Sequence, residues 1–217
     1  MTLAGAGRMD RRVETVIAEY EEREKAENIL KREIGFDDDH SRRDEFLLSV
    51  GRSSAQLLSI LAKSLKPKTI LEVGGSYGYS TVWLAEAAQA VGGKLVTLEI
   101  HPRKQQYARE AIAKAGLSNS VDFWLGDARE LLGQIPGPFD FVLLDLWKEL
   151  YIPCFELFYP KLNPGALVVA DNMIYPELTR AQAAAYRAHV RAKPHIDSVL
   201  LAVGGGLEVS RYTRGAM

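Results

Sequence analysis

A doubly wound α/β fold is predicted for this chain: a mostly parallel, Rossmann-like sheet of seven strands with helices on both faces, extra helices in front and an antiparallel hairpin at its end. Three observations predict it. Beyond Pro67, short runs rich in Val, Leu and Ile alternate with helical stretches, a rhythm that specifies parallel strands joined by crossover helices. The first of these runs enters a glycine-rich turn that opens the next helix. The last two flank Gly204, Gly205 and Gly206, the mark of a hairpin and hence of an antiparallel final strand.

Taken in order, Met9 to Ile34 reads as a charged helix, with Val13, Val16, Ile17 and Tyr20 at helical spacing among Glu, Arg and Lys. Gly35 to Asp44 is a polar loop. Its Asp37, Asp38, Asp39 and His40 suggest metal ligands, but adjacent carboxylates point in different directions, so a solvated loop is the preferred reading. A second helix covers Ser53–Leu65 and stops before Lys66-Pro67. The strands follow at Thr69–Val73, Lys94–Glu99, Val121–Leu125, Phe139–Leu144 and Ala166–Ala170, with helices at Ser80–Ala90, Arg103–Ala115 and Tyr151–Tyr159. Ile196–Val203 and Leu207–Tyr212 form the hairpin. No repeat or linker interrupts the chain. One domain over 1–217 is expected, with an N-terminal helix and loop over 1–45 and the core over 46–217.

The charge balance narrows the function classes. Lys plus Arg number 27 against 28 for Asp plus Glu, so no global field holds nucleic acid or an anionic membrane. A single cysteine, Cys154, forms no intrachain disulfide, as expected in a reducing compartment. No apolar run approaches the roughly 20 residues of a membrane span, and the first residues (MTLAGAGRMDRR) lack the apolar core of a secretory signal. The cytoplasm is the expected location.

In such a sheet, ligands bind beyond the carboxyl ends of the strands. The first strand runs into LEVGGSYGYS (Leu71–Ser80), where Gly74, Gly75 and Gly78 let the backbone turn and a ligand approach. Ser80 lies at a helix start, where free N–H groups attract a carboxylate or phosphate. Glu99 ends the second strand, 21 residues after Gly78, at the place where a carboxylate accepts both ribose hydroxyls. These features mark a nucleotide-like cofactor. The dinucleotide pattern GxGxxG fails, because Ser76 occupies its second glycine position. Asp127, after the third strand, reads on local grounds as the N-cap of the next helix, a role compatible with a further contact to a ligand.

The fourth strand ends in Asp145-Leu146-Trp147-Lys148 and the fifth in Asp171-Asn172. Neighbouring strands thus deliver Asp145, Asp171 and Asn172 to one edge. Hard oxygens with positions left open suit magnesium or another divalent cation. Either aspartate alone reads more readily as a helix cap or solvated turn; the pair beside a cofactor loop is less easily explained that way.

At this point the sequence resembles a known family. LLDLWKELYIP (Leu143–Pro153) followed by VVADNMIYP (Val168–Pro176) is similar to the cation-dependent class I S-adenosylmethionine O-methyltransferases, the catechol and caffeoyl-CoA O-methyltransferases. The acid-x-Gly-x-x-x-Gly run from Glu72 to Gly78, SVG (Ser49–Gly51), YRAHVR (Tyr186–Arg191) and the GGGLE turn extend the resemblance from Phe46 to Tyr212. It implies transfer of a methyl group from S-adenosylmethionine to one hydroxyl of a catechol-like small molecule. Asp145, Asp171 and Asn172 would hold the cation, and Lys148 would be the general base. Val50, Glu72, Gly74, Ser76, Ser80, Glu99, Ile100, Asp127, Ala128 and Asp145 would surround the cofactor, with Trp147 on its adenine. Phe46, Leu48 and Pro176 would flank the substrate beside Lys148 and Asn172. For Trp147, Phe46 and Pro176, ordinary packing is the competing reading. Two positions depart from the animal catechol enzymes. Val199 stands where they carry a glutamate that grips the second hydroxyl, and Phe46 replaces a tryptophan.

A methyltransferase acting on hydroxylated tRNA uridine is the alternative, with Arg8, Arg11, Arg12, Arg42 and Arg43 as a basic rim. An exposed charged helix explains those residues more simply, and no nucleic-acid or membrane partner is expected. A non-catalytic cofactor-binding protein and a nicotinamide-dependent reductase are further rivals; intact Asp145, Lys148, Asp171 and Asn172 oppose the first and Ser76 the second. The amino-terminal helix is expected to cover the substrate mouth or to pair with a second subunit in a homodimer. Cys154 reads as core, and His101, His189 and His195 as turn or surface residues.

Overall fold

The computed structural model describes residues 9–34 and 43–213. Asp37, Asp38, Asp39, His40, Arg8 and Arg42 lie outside the described residues. Helix α1 (Arg11–Glu33) and helix α2 (Arg52–Leu65) precede β1 (Thr69–Val73), α3 (Tyr79–Val91), β2 (Lys94–Glu99), α4 (Pro102–Lys114) and β3 (Val121–Leu125). Then follow α5 (Ala128–Gln134), β4 (Phe139–Leu144), α6 (Tyr151–Phe158), β5 (Leu162–Ala170), α7 (Arg180–Arg191) and the hairpin β6 (Ile196–Leu201) and β7 (Leu207–Tyr212). The sheet order is β3-β2-β1-β4-β5-β7-β6. Strands β1 to β5 pair in parallel, and β7 runs antiparallel to both β5 and β6. The doubly wound sheet with an antiparallel end is therefore observed as the sequence predicts.

Strand periodicity divides the core. Ile70, Leu95, Phe141, Leu143 and Val169 point to one face, where they pack against α1 to α4. Their neighbours Leu71, Val73, Leu98, Val142 and Val168 point to the other, against α5, α6 and α7. Two-sided burial explains why these strands read as continuous apolar runs rather than alternating ones. Cys154 is buried in the second layer. On α1, Val13, Val16, Ile17 and Tyr20 are the buried residues, as their spacing predicts. No helix among the described residues is long and apolar enough to cross a membrane.

Helix ends differ from expectation by one or two residues, and strand boundaries differ in two places. Strand β5 starts at Leu162 rather than Ala166, carrying Pro164 and Gly165 inside it. The irregular register between Phe139 and Phe141 and a 2.6 Å bond from Asn163 Nδ2 to Asp140 Oδ1 accommodate those residues at the strand's outer end. Strand β6 stops at Leu201, because the Val203 carbonyl is taken by the Gly206 N–H inside the turn.

The topology fixes the cleft. From β1 the chain proceeds outward to β2 and β3, then returns across β1 to β4. The loops leaving Val73 and Leu144 therefore diverge, and that switch point is where open α/β sheets bind ligands.

Candidate active site

A cavity of about 710 Å³ opens at this switch point. Of the residues singled out from the sequence, Leu48, Val50, Gly74, Ser76, Ser80, Glu99, Ile100, Asp127, Ala128, Asp145, Trp147, Lys148, Asn172 and Pro176 line it. Glu72, Asp171 and Phe46 stand behind the wall.

At the glycine end, Gly74 has φ +100°, and an added Cβ would lie 1.9 Å from the Asp145 carbonyl oxygen. Only glycine lets the β1 loop pass this close to the end of β4. Glu72 is fully buried and accepts hydroxyl bonds of 2.6 Å from Ser80, Thr81 and Thr97. It ties β1, β2 and α3 together beneath the loop, and burial raises its carboxyl pKa despite these donors. Glu99 is oriented differently: its two oxygens accept the backbone N–H of Ser76 at 2.7 Å and of His101 at 2.8 Å. Each oxygen retains a lone pair for a further donor. Asp127 is both wall and cap, receiving the Arg129 N–H at 2.8 Å and its guanidinium at 2.6 Å, which hold its carboxyl below the usual range.

At the other end, backbone bonds from Asp145 N to Val73 O (3.0 Å) and from Asp171 N to Leu144 O (3.1 Å) seat the two aspartates just past neighbouring strands. Asp171 is 1% exposed, and its Oδ1 has no hydrogen-bond partner. Burial first and the Asp145 charge second push its carboxyl up to about 8. Asp145 is raised as well, by burial, with Lys148 opposing. Asn172 adopts φ +55°, a left-handed conformation that asparagine tolerates better than most residues. The glycine turn is its support: Met173, Ile174 and Tyr175 donate their N–H groups to Gly206 and Gly205, and a Cβ on Gly205 would meet Asn172 Nδ2 at 2.8 Å. Two mutually repelling carboxylates, an orphaned carboxylate oxygen and an amide fit a hard divalent cation with open positions. Among the described residues no group of three His, Cys, Asp or Glu side chains competes for that role.

Lys148 is 8% exposed, and burial lowers its pKa against the attraction of Asp145 and Asp171. Its Nζ donates to Tyr151 OH at 2.5 Å, Asn172 Oδ1 at 3.2 Å and Leu146 O at 3.4 Å. Tyr151 in turn donates to Asp171 O at 3.2 Å. Sequence reasoning missed Tyr151, because at the start of an apolar helix an aromatic residue carries no mark beyond packing.

Other side chains fall less directly on the cavity. Phe46 is 2% exposed, with the Lys31 ammonium 5.2 Å above its ring, so Leu47 and Leu48 form the lining at this point instead. Leu48 and Ser76 take φ values of +47° and +45°, two further left-handed residues on the cavity wall. Val199 lies half exposed on β6 and does not line the cavity. Helix α1 does contribute, through Glu24 and Lys31. It is anchored by Tyr20 OH on Tyr77 O (2.5 Å), by Glu27 on the Leu47 N–H (2.7 Å) and by Arg23 set over the rings of Tyr77 and Tyr107. No periodicity distinguishes Glu24 from the solvated acids around it, which is why the sequence did not reveal it.

Comparison with known proteins agrees with this architecture. The model of a family described as O-methyltransferase matches residues 29–212. The catechol O-methyltransferase of Niastella koreensis is 37% identical over 131 residues, 58% of this chain and 59% of that relative. The chain thus spans less than two thirds of the length of that relative. The cofactor-bound crystal structure of Rv0187 from MTB superposes with a TM-score of 0.76 at 24% identity, covering 99% of this chain and 94% of that one. An O-methyltransferase from Bacillus cereus in complex with SAH superposes with a TM-score of 0.73 at 24% identity, covering 96% and 93%. These two share the fold.

Proposed function

The chain belongs to the O-methyltransferase family, and from that premise we propose that it moves a methyl group from S-adenosylmethionine to one hydroxyl of a catechol-like vicinal diol, with magnesium or another divalent cation in the site. The observation that carries this reading is the buried, unpartnered Asp171 Oδ1 directly behind Asp145 and Asn172, which line the same cavity as the glycine loop and Glu99.

When bound, the cation would supply Lewis-acid stabilisation of a phenol oxyanion, and the cofactor an activated methyl group. Asp145, Asp171 and Asn172 would hold the cation. Glu99, with a lone pair left on each oxygen, would accept the ribose hydroxyls, and the start of α3 at Ser80 would receive the cofactor's carboxylate. Trp147, Ile100, Ala128 and Asp127 would enclose its adenine end, with Val50, Gly74 and Ser76 along its length. Glu72 would act from beneath, by holding the loop.

A phenol with pKa near 10 is a poor nucleophile at neutral pH. Lys148 would take its proton at Nζ, an amine whose burial makes it readier to be neutral. Leu48 and Pro176 would bracket the ring, and Phe46 would support that wall from behind. Because methyl transfer from a sulfonium to an oxyanion quenches both charges, a site shielded from water favours it.

The test is transfer of labelled methyl to catechol, caffeate, caffeoyl thioesters and hydroxylated uridine with magnesium present. Methylation of the free diols, abolished by EDTA and by Asp145→Ala or Asn172→Ala, is expected. Activity that survives chelation and both substitutions removes the metal assignment, and preference for the nucleoside moves the substrate class to RNA.

A further inference from the structure

We propose that Glu24, on the amino-terminal helix, is the receptor for the α-ammonium group of the cofactor's amino-acid tail. The inference rests on the cofactor reading above and deepens it at a residue outside the segment matched by the family model.

The argument begins at the corner where α2 and α3 start. Both helices are preceded by a glycine, Gly51 and Gly78, and neither has a side-chain cap. The first N–H groups of a helix lack intrahelical partners, and the cavity is lined at these two starts by Val50, just before α2, and by Gly78, Tyr79 and Ser80 of α3. Glu21 and Glu24 approach it from α1, one turn apart. Glu21 is fully engaged, with Arg52 Nη1 at 2.6 Å and Tyr79 OH at 3.1 Å. Glu24 differs: it is half-buried, lines the cavity, and accepts only the Ser49 hydroxyl, with no cation beside it among the described residues. A carboxylate withdrawn from water without a counter-charge is disfavoured unless something arrives to pair with it.

The expected occupant has matching chemistry. An α-amino acid carries a carboxylate and an ammonium on one carbon. The carboxylate suits the uncapped helix starts, and the ammonium then faces a wall whose unpaired charge is Glu24. A nucleotide with only phosphates would meet repulsion from the same side chain. The corner is therefore suited to a zwitterion rather than to a simple anion. Ser49 fixes the carboxylate in place, so binding would not have to order it.

The test is a binding cycle by calorimetry on the whole protein. Wild type and Glu24→Gln are titrated with S-adenosylhomocysteine and with its deaminated analogue, 5′-S-(3-carboxypropyl)-5′-thioadenosine. The amide keeps an acceptor for Ser49 and removes the charge. Wild type should bind the deaminated analogue more weakly, and in Glu24→Gln that preference should shrink by about tenfold, as for a charge-assisted bond at a partly buried site. If Glu24 merely anchors Ser49, the substitution changes both affinities by the same factor and the proposal is overturned. Should Glu24→Gln not fold, the wild-type comparison decides: equal affinity for the two ligands overturns the assignment, and a loss on deamination that Glu24→Asp diminishes supports it. If wild type binds neither ligand, the cofactor reading itself has failed, a result distinct from either of the others.

Discussion

With no cation in the proposed site, raising the pH should destabilise this protein through Asp171. The folded state lifts this carboxyl from 3.8 to about 8, with burial as the main cause and the Asp145 charge second. A group whose pKa is raised on folding binds its proton more tightly in the native state. Its stabilising contribution is complete below the unfolded value near 4 and is lost as pH climbs through about 8. Each pH unit in that window removes about 1.4 kcal/mol, so between about pH 5 and pH 7 the loss is on the order of 2–3 kcal/mol. A divalent cation binds the ionised form and competes with the proton, so it should raise stability little at pH 5 and by several kcal/mol at pH 8 when well above its Kd. The assay is urea denaturation of EDTA-treated protein at several pH values, with and without magnesium, for wild type and Asp171→Asn. Other carboxylates titrate in the same range, and the difference between the two proteins reports Asp171 together with its coupling to Asp145. A wild-type-minus-variant difference that stays flat from pH 5 to pH 8, or a magnesium effect that is equal at both ends, would refute the reasoning.

Lys148→Met should lower kcat by roughly two orders of magnitude, the usual weight of a general base, with the deficit shrinking as pH approaches the diol's own pKa. An unchanged pH–rate profile would remove Lys148 from that role. Gly205→Ala should fold but push Asn172 aside, since the new Cβ would lie 2.8 Å from its Nδ2; magnesium affinity should fall while S-adenosylhomocysteine affinity holds, and equal losses in both would contradict this. Arg191→Met should strand the fully buried Glu208, which Arg191 grips at 2.7 and 3.0 Å. Breaking a buried pair costs about 3–5 kcal/mol, and the half-exposed arginine reduces the expected loss to about 2 kcal/mol. A shift in urea midpoint too small to resolve would show that Ser198 alone satisfies the carboxylate.

What the sequence determined by itself was everything carried by local pattern. Strands buried on both faces must be continuous apolar runs, as β1 and β4 are, and together with the half-exposed edge strand β3 and its neighbour β2 they were legible to the residue, so the acids at their ends could be placed at one edge from the sequence. Pro164 and Gly165 misled, because a strand end that leans on a side-chain bond from Asn163 tolerates residues that local propensity excludes. The tertiary structure decided the contacts between segments distant in the chain. It placed Glu72 beneath the loop and Asp171 behind the wall, put Tyr151 against Lys148, drew Glu24 of α1 into the same cavity as the distant glycine loop, and set the glycine turn under Asn172. Periodicity records only whether a residue faces the core or solvent. Which buried groups meet, and which are left unpaired, depends on how layers pack, and the chemistry of this site resides in those unpaired groups.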